Sequence, residues 1–192
     1  MKNLFTILLL VLFVSNTNAQ DSKFYIGVGA GLATMGGDIN DGDAYSGTGL
    51  NINFLNMGLR LNETWGLTAN LSSSGFALEE GDGAFGAGVF SVGPMLSFPM
   101  GNMTWDLKPQ IILGLSGVWN DTDTLFDDAT MKGSGFVIGN SIVMGEGKGF
   151  SWSIDLDYVI GNYDEIEDYS AELEIDSSFS SLKAGVGVRY NF

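Results

Sequence analysis

Apolar and polar residues alternate along most of this 192-residue sequence, and that period of two constrains the fold more than any other feature. Successive side chains of a β-strand point to opposite faces, so the alternation predicts strands with one apolar face each. The clearest example carries, on one face, Trp105, Leu107, Pro109, Ile111, Leu113 and Leu115. Eight strands are predicted, over residues 23–33, 47–61, 65–72, 87–98, 104–116, 136–144, 150–160 and 182–192.

The connections between the predicted strands alternate in length. Four are long, at residues 34–46, 73–86, 120–135 and 161–177. Three are short turns, at residues 62–64, 99–102 and 145–149. This alternation predicts an antiparallel up-and-down meander in which each strand pairs with the next. The apolar parity changes between Phe54 and Leu55, which is explained either by a β-bulge or by a strand that starts later.

The first nineteen residues differ in composition from the rest of the sequence. Lys2 is followed by an apolar run over residues 4–14 and then by small and polar residues up to Ala19. This pattern predicts a cleaved secretory signal at residues 1–19, with cleavage between Ala19 and Gln20 and one domain at residues 20–192. The run is too short for a helix to cross a hydrocarbon core of about 30 Å. No later apolar run is long enough either, so any membrane span must be formed by strands.

Composition excludes several functions. The sequence has no His and no Cys, which excludes a Ser-His-Asp triad, a Cys nucleophile, a thiolate or imidazole metal site and a disulfide. With 23 acidic and 8 basic residues its net charge is −15, which argues against nucleic acid as a partner. Asp155 and Asp157 form the remaining candidate acid pair, but basic neighbours favour their ionised forms. We therefore expect no enzyme, no catalytic residue, no metal and no cofactor.

The polar faces of the predicted strands indicate which face meets water. A secreted, soluble ligand-binding barrel of lipocalin-like type shows the same alternation and is the alternative interpretation. These polar faces carry Gly, Ser, Asn and Thr instead of the many Lys and Glu residues of a solvated surface. Their few charges nearly balance, which predicts ion pairs inside a closed lumen that side chains fill. The predicted lumen charges are Arg60, Asp106, Lys108, Asp155, Asp157, Lys183 and Arg189.

The pairing of these charges depends on the register of the last two strands. If Phe150 lies opposite Phe192, Asp155 and Asp157 face positions 187 and 185. Each acid is then one diagonal step from a basic residue of the eighth strand, either Lys183 or Arg189.

Aromatic residues lie near both ends of the predicted strands, as expected of a barrel in a bilayer. Near the short turns they are Phe24, Tyr25, Trp65, Phe98, Trp105, Phe150, Trp152, Tyr190 and Phe192. Near the long loops they are Phe76, Phe85, Phe90, Trp119, Phe136, Tyr158 and Phe179.

The signal, the loop pattern and the alternating last strand, which ends Val186-Gly187-Val188-Arg189-Tyr190-Asn191-Phe192, resemble the small outer-membrane β-barrels of Gram-negative bacteria. Among these barrels, the sequence most resembles the barrel-domain proteins of the Bacteroidetes. The resemblance implies an all-β fold, an eight-stranded antiparallel up-and-down transmembrane β-barrel, in contact with outer-membrane lipids. In that family the last strand is the signal for the barrel-assembly machinery during biogenesis, and Tyr190 and Phe192 match it.

Most of the acidic residues lie in the four long loops, where Lys132 is the only basic residue. Such loops predict a solvated, self-repelling surface with a structural or surface-interaction role. They also provide oxygen ligands for extracellular protein contacts or for Mg²⁺ or Ca²⁺, although residues 38–43 place Gly one position too early for an EF-hand. The fourth loop, with Ile166, Leu173 and Ile175 among its acids, predicts a hairpin beyond the membrane.

Deletion of Phe192 should reduce insertion into the outer membrane much more than export across the inner membrane. The reason is that the terminal aromatic residue of the last strand is the part that matches the assembly signal. Fractionation measures insertion, and removal of the signal peptide measures export. Wild-type levels of assembled protein after the deletion would contradict the prediction.

Overall fold

A computed structural model describes residues 24–40, 47–77, 83–121, 130–145, 147–168 and 171–192. The predicted signal at residues 1–19 and its cleavage site between Ala19 and Gln20 lie outside these ranges. Among the described residues, no helix is long and apolar enough to cross a membrane.

The described residues form eight strands in one closed antiparallel ring, in which each strand pairs with the next and the eighth pairs with the first. The predicted fold class is therefore confirmed. A short 3₁₀ turn, Asp38–Asn40, follows the first strand. The strands are β1 (Phe24–Thr34), β2 (Thr48–Arg60), β3 (Trp65–Ala77), β4 (Gly83–Met100), β5 (Met103–Asp121), β6 (Thr130–Met144), β7 (Gly149–Asp168) and β8 (Ala171–Asn191).

Large apolar side chains point outward on all eight strands. On β7, Trp152 is 61% exposed, whereas the next residue, Ser153, is 3% exposed. A soluble barrel turns its apolar face inward, so the lipocalin-like alternative is not favoured. The arrangement follows from the period of two, because turning the polar face inward places the apolar face on the outside.

β-bulges, among them one in β2 and one in β5, change which residues point inward. The bulge in β2 lies between Asn53 and Leu55, where the parity change predicts it. A second bulge, in β5 between Ile112 and Leu115, is not evident from the alternation. It turns Leu115, predicted on the outer face, into the interior, where it is 2% exposed. One extra residue in a strand exchanges the inner and outer faces for all later side chains of that strand.

The strands extend farther at the long-loop end than the sequence predicts. The predicted loop at residues 161–177 is instead a hairpin, in which β7 and β8 remain paired up to Asp168 and Ala171. The boundaries of this loop were wrong, although the expectation of a hairpin there is confirmed. Acidic residues have low strand propensity, and backbone pairing between the two strands outweighs it here.

The aromatic residues at the short-turn end form an outward-facing group. Phe150, Tyr190, Phe192 and Phe24 make a row whose successive ring centroids are 5.2, 5.1 and 5.4 Å apart. The backbone N–H of Phe192 also donates to the carbonyl of Phe24 at 3.1 Å. These contacts join the last residues of β8 to the start of β1. Tyr25 departs from the predicted band, because its side chain is buried inside the barrel.

The predicted aromatic band at the long-loop end was wrong for three of its seven residues, and the side chain of Trp119 lies outside the part that the structure describes. Phe76, Phe85 and Phe179 are fully buried inside the barrel, while Phe90, Phe136 and Tyr158 face outward. The parity of the strands explains the difference. Phe76, for example, is separated by even steps from Ser72 and Ser74, which also point inward.

Leu156→Arg should destabilise the barrel by about 2–4 kcal/mol in a bilayer, because a charged side chain in the middle of the outer face meets hydrocarbon. Trp152→Arg should cost less, since Trp152 lies nearer the short-turn end. The control is Asn102→Arg in the exposed turn between β4 and β5. Urea unfolding in lipid vesicles measures the free energies, and equal tolerance of Arg at Leu156 and Asn102 would exclude lipid contact at Leu156.

Candidate functional site

The carboxylate of Asp106 is the centre of an ion cluster at the short-turn end of the lumen. Its Oδ2 lies 3.1 Å from Nη1 of Arg189, and its Oδ1 lies 3.5 Å from Nη2 of Arg60. Ser97 donates its hydroxyl to Oδ1 at 2.7 Å. The guanidinium of Arg189 also stacks over Tyr25, with Cζ 4.4 Å from the ring centre. Asp106 is completely buried, and these donors compensate the cost of removing its charge from water.

A second group of charges lies farther along the lumen. Nζ of Lys108 is 3.8 Å from Oδ1 of Asp155. Ser153 donates to Oδ2 of Asp155 at 2.7 Å, and Ser141 donates to Oδ1. A Cβ atom added at Gly187 would lie 2.6 Å from the Ser153 hydroxyl and 3.0 Å from Asp155 Oδ2. The glycine of β8 therefore provides the space that this carboxylate occupies.

Asp157 and Lys183 face each other across β7 and β8. Lys183 nevertheless donates its ammonium to the Ser72 hydroxyl of β3, at 3.0 Å. Oδ1 of Asp157 is buried without a hydrogen-bond partner among the described residues. A Cβ at Gly139 would lie 2.7 Å from this oxygen, so Gly139 makes room for the acid.

All seven predicted lumen charges lie on the inner face, but the predicted pairing was wrong in part. Phe150 lies opposite Tyr190, not Phe192, which shifts the register of β7 and β8 by two residues. Arg189 pairs with Asp106 of β5 and not with an acid of β7. The lumen is narrow enough for side chains from non-adjacent strands to meet. Such contacts cannot be derived from the register of two neighbouring strands.

The long-loop half of the lumen holds an apolar cluster that the sequence analysis missed. Continuing the parity of the lumen charges along each strand would have located much of it. Met35 and Ile39, from the segment after β1, close the cluster at the mouth of the barrel. Its members are Ala33, Met35, Ile39, Phe76, Phe85, Ala87, Val89, Ile112, Leu115, Met131, Val137, Val159, Tyr163 and Phe179.

The segment after β1 is attached to β8 by polar contacts. Gly36 and Ser180 exchange two backbone hydrogen bonds, of 2.9 and 2.8 Å. Oδ2 of Asp38 accepts the backbone N–H of Ser178 at 3.2 Å and its hydroxyl at 2.8 Å. Gly37 lies between them with a φ of 96°, a conformation that glycine adopts without strain.

The Ser178 hydroxyl and backbone N–H hold the pKa of Asp38 below its ordinary value of 3.8. Since the folded pKa is the lower one, the ionised contact favours the folded state at neutral pH. That contribution disappears only as the pH falls through the folded pKa.

Parts of the acidic loops lie outside the described residues, including the acids at positions 41, 43, 79, 80, 82, 123, 127 and 128. Within the ranges that the structure describes, no group of three or more Asp or Glu residues is arranged to hold a metal ion. The expected cation contacts of these loops stay a prediction.

By sequence, the chain matches no protein-family model and no curated protein. Its fold is similar to that of Neisserial surface protein A, with a TM-score of 0.63 and 12% identity over 91% of this chain and 100% of that one. It is also similar to that of Ail of Yersinia pestis, crystallised with the heparin analogue sucrose octasulfate. The TM-score is 0.56, and the identity is 14% over 89% of this chain and 100% of that one. For a major outer membrane protein of Thermus thermophilus the TM-score is 0.54, and the identity is 15% over 89% of this chain and 99% of that one. The chain therefore has the fold of these bacterial barrels.

Arg189→Met should destabilise the barrel by about 3–5 kcal/mol, because it leaves Asp106 buried with Arg60 as its remaining cation. Adding Asp106→Leu should restore part of the loss, so the two changes should be strongly non-additive. A double-mutant cycle on urea unfolding in detergent measures the coupling.

The matched control is Lys183→Met combined with Asp106→Leu. Lys183 lies six residues from Arg189 on β8, roughly 20 Å along the strand, so these two losses should add. If the losses of unfolding free energy for Arg189→Met and Asp106→Leu were additive, the ion pair between the two side chains would contribute no coupling energy.

Proposed function

We propose that this protein is an integral outer-membrane barrel of the Bacteroidetes type, with a structural or surface-interaction role. One observation carries the proposal: large apolar side chains cover the outside of all eight strands, while charges and hydroxyl groups lie within. Such a barrel suits a lipid environment, because the closed ring pairs its backbone groups and the outer face is apolar. The row of aromatic rings from Phe150 to Phe24 at the short-turn end includes Tyr190 and Phe192, the residues of the proposed assembly signal.

The proposed barrel neither conducts solutes nor catalyses a reaction. The ion clusters fill the lumen on the short-turn side, where Asp106, Lys108 and Arg189 are at most 2% exposed. The apolar cluster fills the lumen on the long-loop side. With neither His nor Cys in the sequence, an enzyme would need a carboxylate pair. In the candidate pair Asp155 is occupied by Lys108 and two serine hydroxyls, and Asp157 lies opposite Lys183.

The acidic long-loop end favours a cationic partner. Ail has been crystallised with an anionic heparin analogue, and a similar ligand would be repelled by the acids of this chain. We therefore propose basic protein segments or divalent cations as partners of this end. Outer-membrane lipids surround the barrel, and the assembly machinery acts on it during biogenesis.

Single cysteines test the location and the orientation, because the natural chain has none. Glu174→Cys, on the exposed long-loop end of β8, should react with a membrane-impermeant maleimide in intact cells. Glu63→Cys, in the exposed turn between β2 and β3, should react only after the outer membrane has been permeabilised. The two variants are matched in chemistry and differ only in the end of the barrel that they mark.

The same cells should contain the protein in the outer-membrane fraction, and its band should shift on heating before electrophoresis. Recovery of both variants in the soluble fraction would refute the membrane proposal. Labelling of Glu63→Cys alone in intact cells would reverse the proposed orientation.

A further inference from the structure

β8 extends beyond the strand that covers one of its edges. Its regular pairing with β1 ends at Lys183 opposite Ala33, and an isolated bridge joins Ser180 to Gly36. Its pairing with β7 continues much farther, up to Ala171. Over residues 171–177, β8 therefore has a strand neighbour on one side only within the part of the chain that the structure describes.

The edge of β8 over residues 171–177 is a site at which another strand can pair. A strand at the border of a sheet presents a row of unpaired N–H and C=O groups, and extended peptides bind such edges by adding a strand. The Asp38 carboxylate marks where the edge begins, since it accepts the backbone N–H of Ser178. Behind the edge, β7 and β6 continue the sheet through Glu165 and Lys132, which holds β8 in place.

The charge of this edge indicates the chemistry of the partner. Glu174 and Asp176 are exposed, and Glu174 lies directly opposite Glu165 of β7. Like charges in this position repel. Lys132 of β6 lies opposite Glu165 on its other side, so Glu174, at the outer position of this row, is the acid that a basic side chain on an added strand would meet. A second copy of this chain would bring the same acids to the interface, so self-pairing is disfavoured.

We propose that the edge of β8 over residues 171–177 binds an extended, cationic segment of another protein by strand addition. This inference rests on the proposed function, which places this end of the barrel outside the cell. Backbone hydrogen bonds would provide the affinity, and the carboxylates of Glu174 and Asp176 would select basic side chains on the added strand.

The test uses the full chain refolded in detergent and three fluorescent seven-residue peptides. The first alternates Lys with Thr, and the second replaces every Lys by Glu. The third keeps the Lys-Thr sequence but carries N-methyl groups on alternate backbone amides, which preserves the charge and removes hydrogen-bond donors. Fluorescence anisotropy should show binding of the first peptide only.

Two variants identify the surface. Glu174→Lys places a base opposite Glu165, so the barrel should remain folded while the affinity for the Lys-Thr peptide falls on the order of fivefold. Glu63→Lys makes the same change of charge at the other end of the barrel and should leave the affinity unchanged. Equal effects of the two variants would overturn the proposed location.

Three results would overturn the strand-addition proposal. They are no binding of the Lys-Thr peptide, equal binding of its N-methylated form, and a dimer of this chain that Glu174→Lys dissociates. If Glu174→Cys is labelled in intact cells but the peptide fails to bind, the edge proposal fails while the proposed function stands. If that cysteine is not labelled, this end of the barrel does not lie outside the cell, and the orientation given under the proposed function fails.

Discussion

The backbone pairing of β8 with β1 is the interaction on which the other features of this structure depend. Nine residue pairs, from Tyr25–Asn191 to Ala33–Lys183, convert an open meander into a ring without edges. Within a hydrocarbon layer an open edge would leave N–H and C=O groups without partners, each at a cost of several kcal/mol. The aromatic row from Phe150 to Phe24 reinforces this seam at its short-turn end.

Closure of a small ring also determines what its interior can contain. Eight strands enclose a space that side chains can fill, so any charge inside must find its partner among a few neighbours. Asp106 does so with two arginines and a serine, and Asp155 with Lys108 and two serines. Glycines such as Gly139 and Gly187 supply the space, which explains why the inner faces carry so many small residues. The apolar cluster then fills the other half.

The two ends of the barrel differ in how completely their backbone groups are paired. At the short-turn end, tight turns join β2 to β3, β4 to β5 and β6 to β7. At the long-loop end, β7 and β8 extend past β1, whose continuation contacts β8 through Gly36 and Asp38. This difference in length produces the acidic edge for which we propose a partner. A strand inside the ring is protected from further pairing by its two neighbours, whereas this extension has one strand neighbour among the described residues and carries acidic side chains.

The sequence by itself determined the class of fold, the outer and inner faces of most strands and the inward position of all seven lumen charges. For the change of parity near Phe54 it offered a bulge as one of two explanations. These properties depend on the period of two, which is local. It did not determine that Arg189 pairs with Asp106, that Leu115 turns inward, or that Phe76, Phe85 and Phe179 lie in the lumen. Those outcomes depend on closure, which brings strands far apart in the sequence within reach of one another, and on an unpredicted bulge that reverses parity. The edge of β8 that has one strand neighbour among the described residues was equally decided by the tertiary structure, because one strand there extends beyond the next.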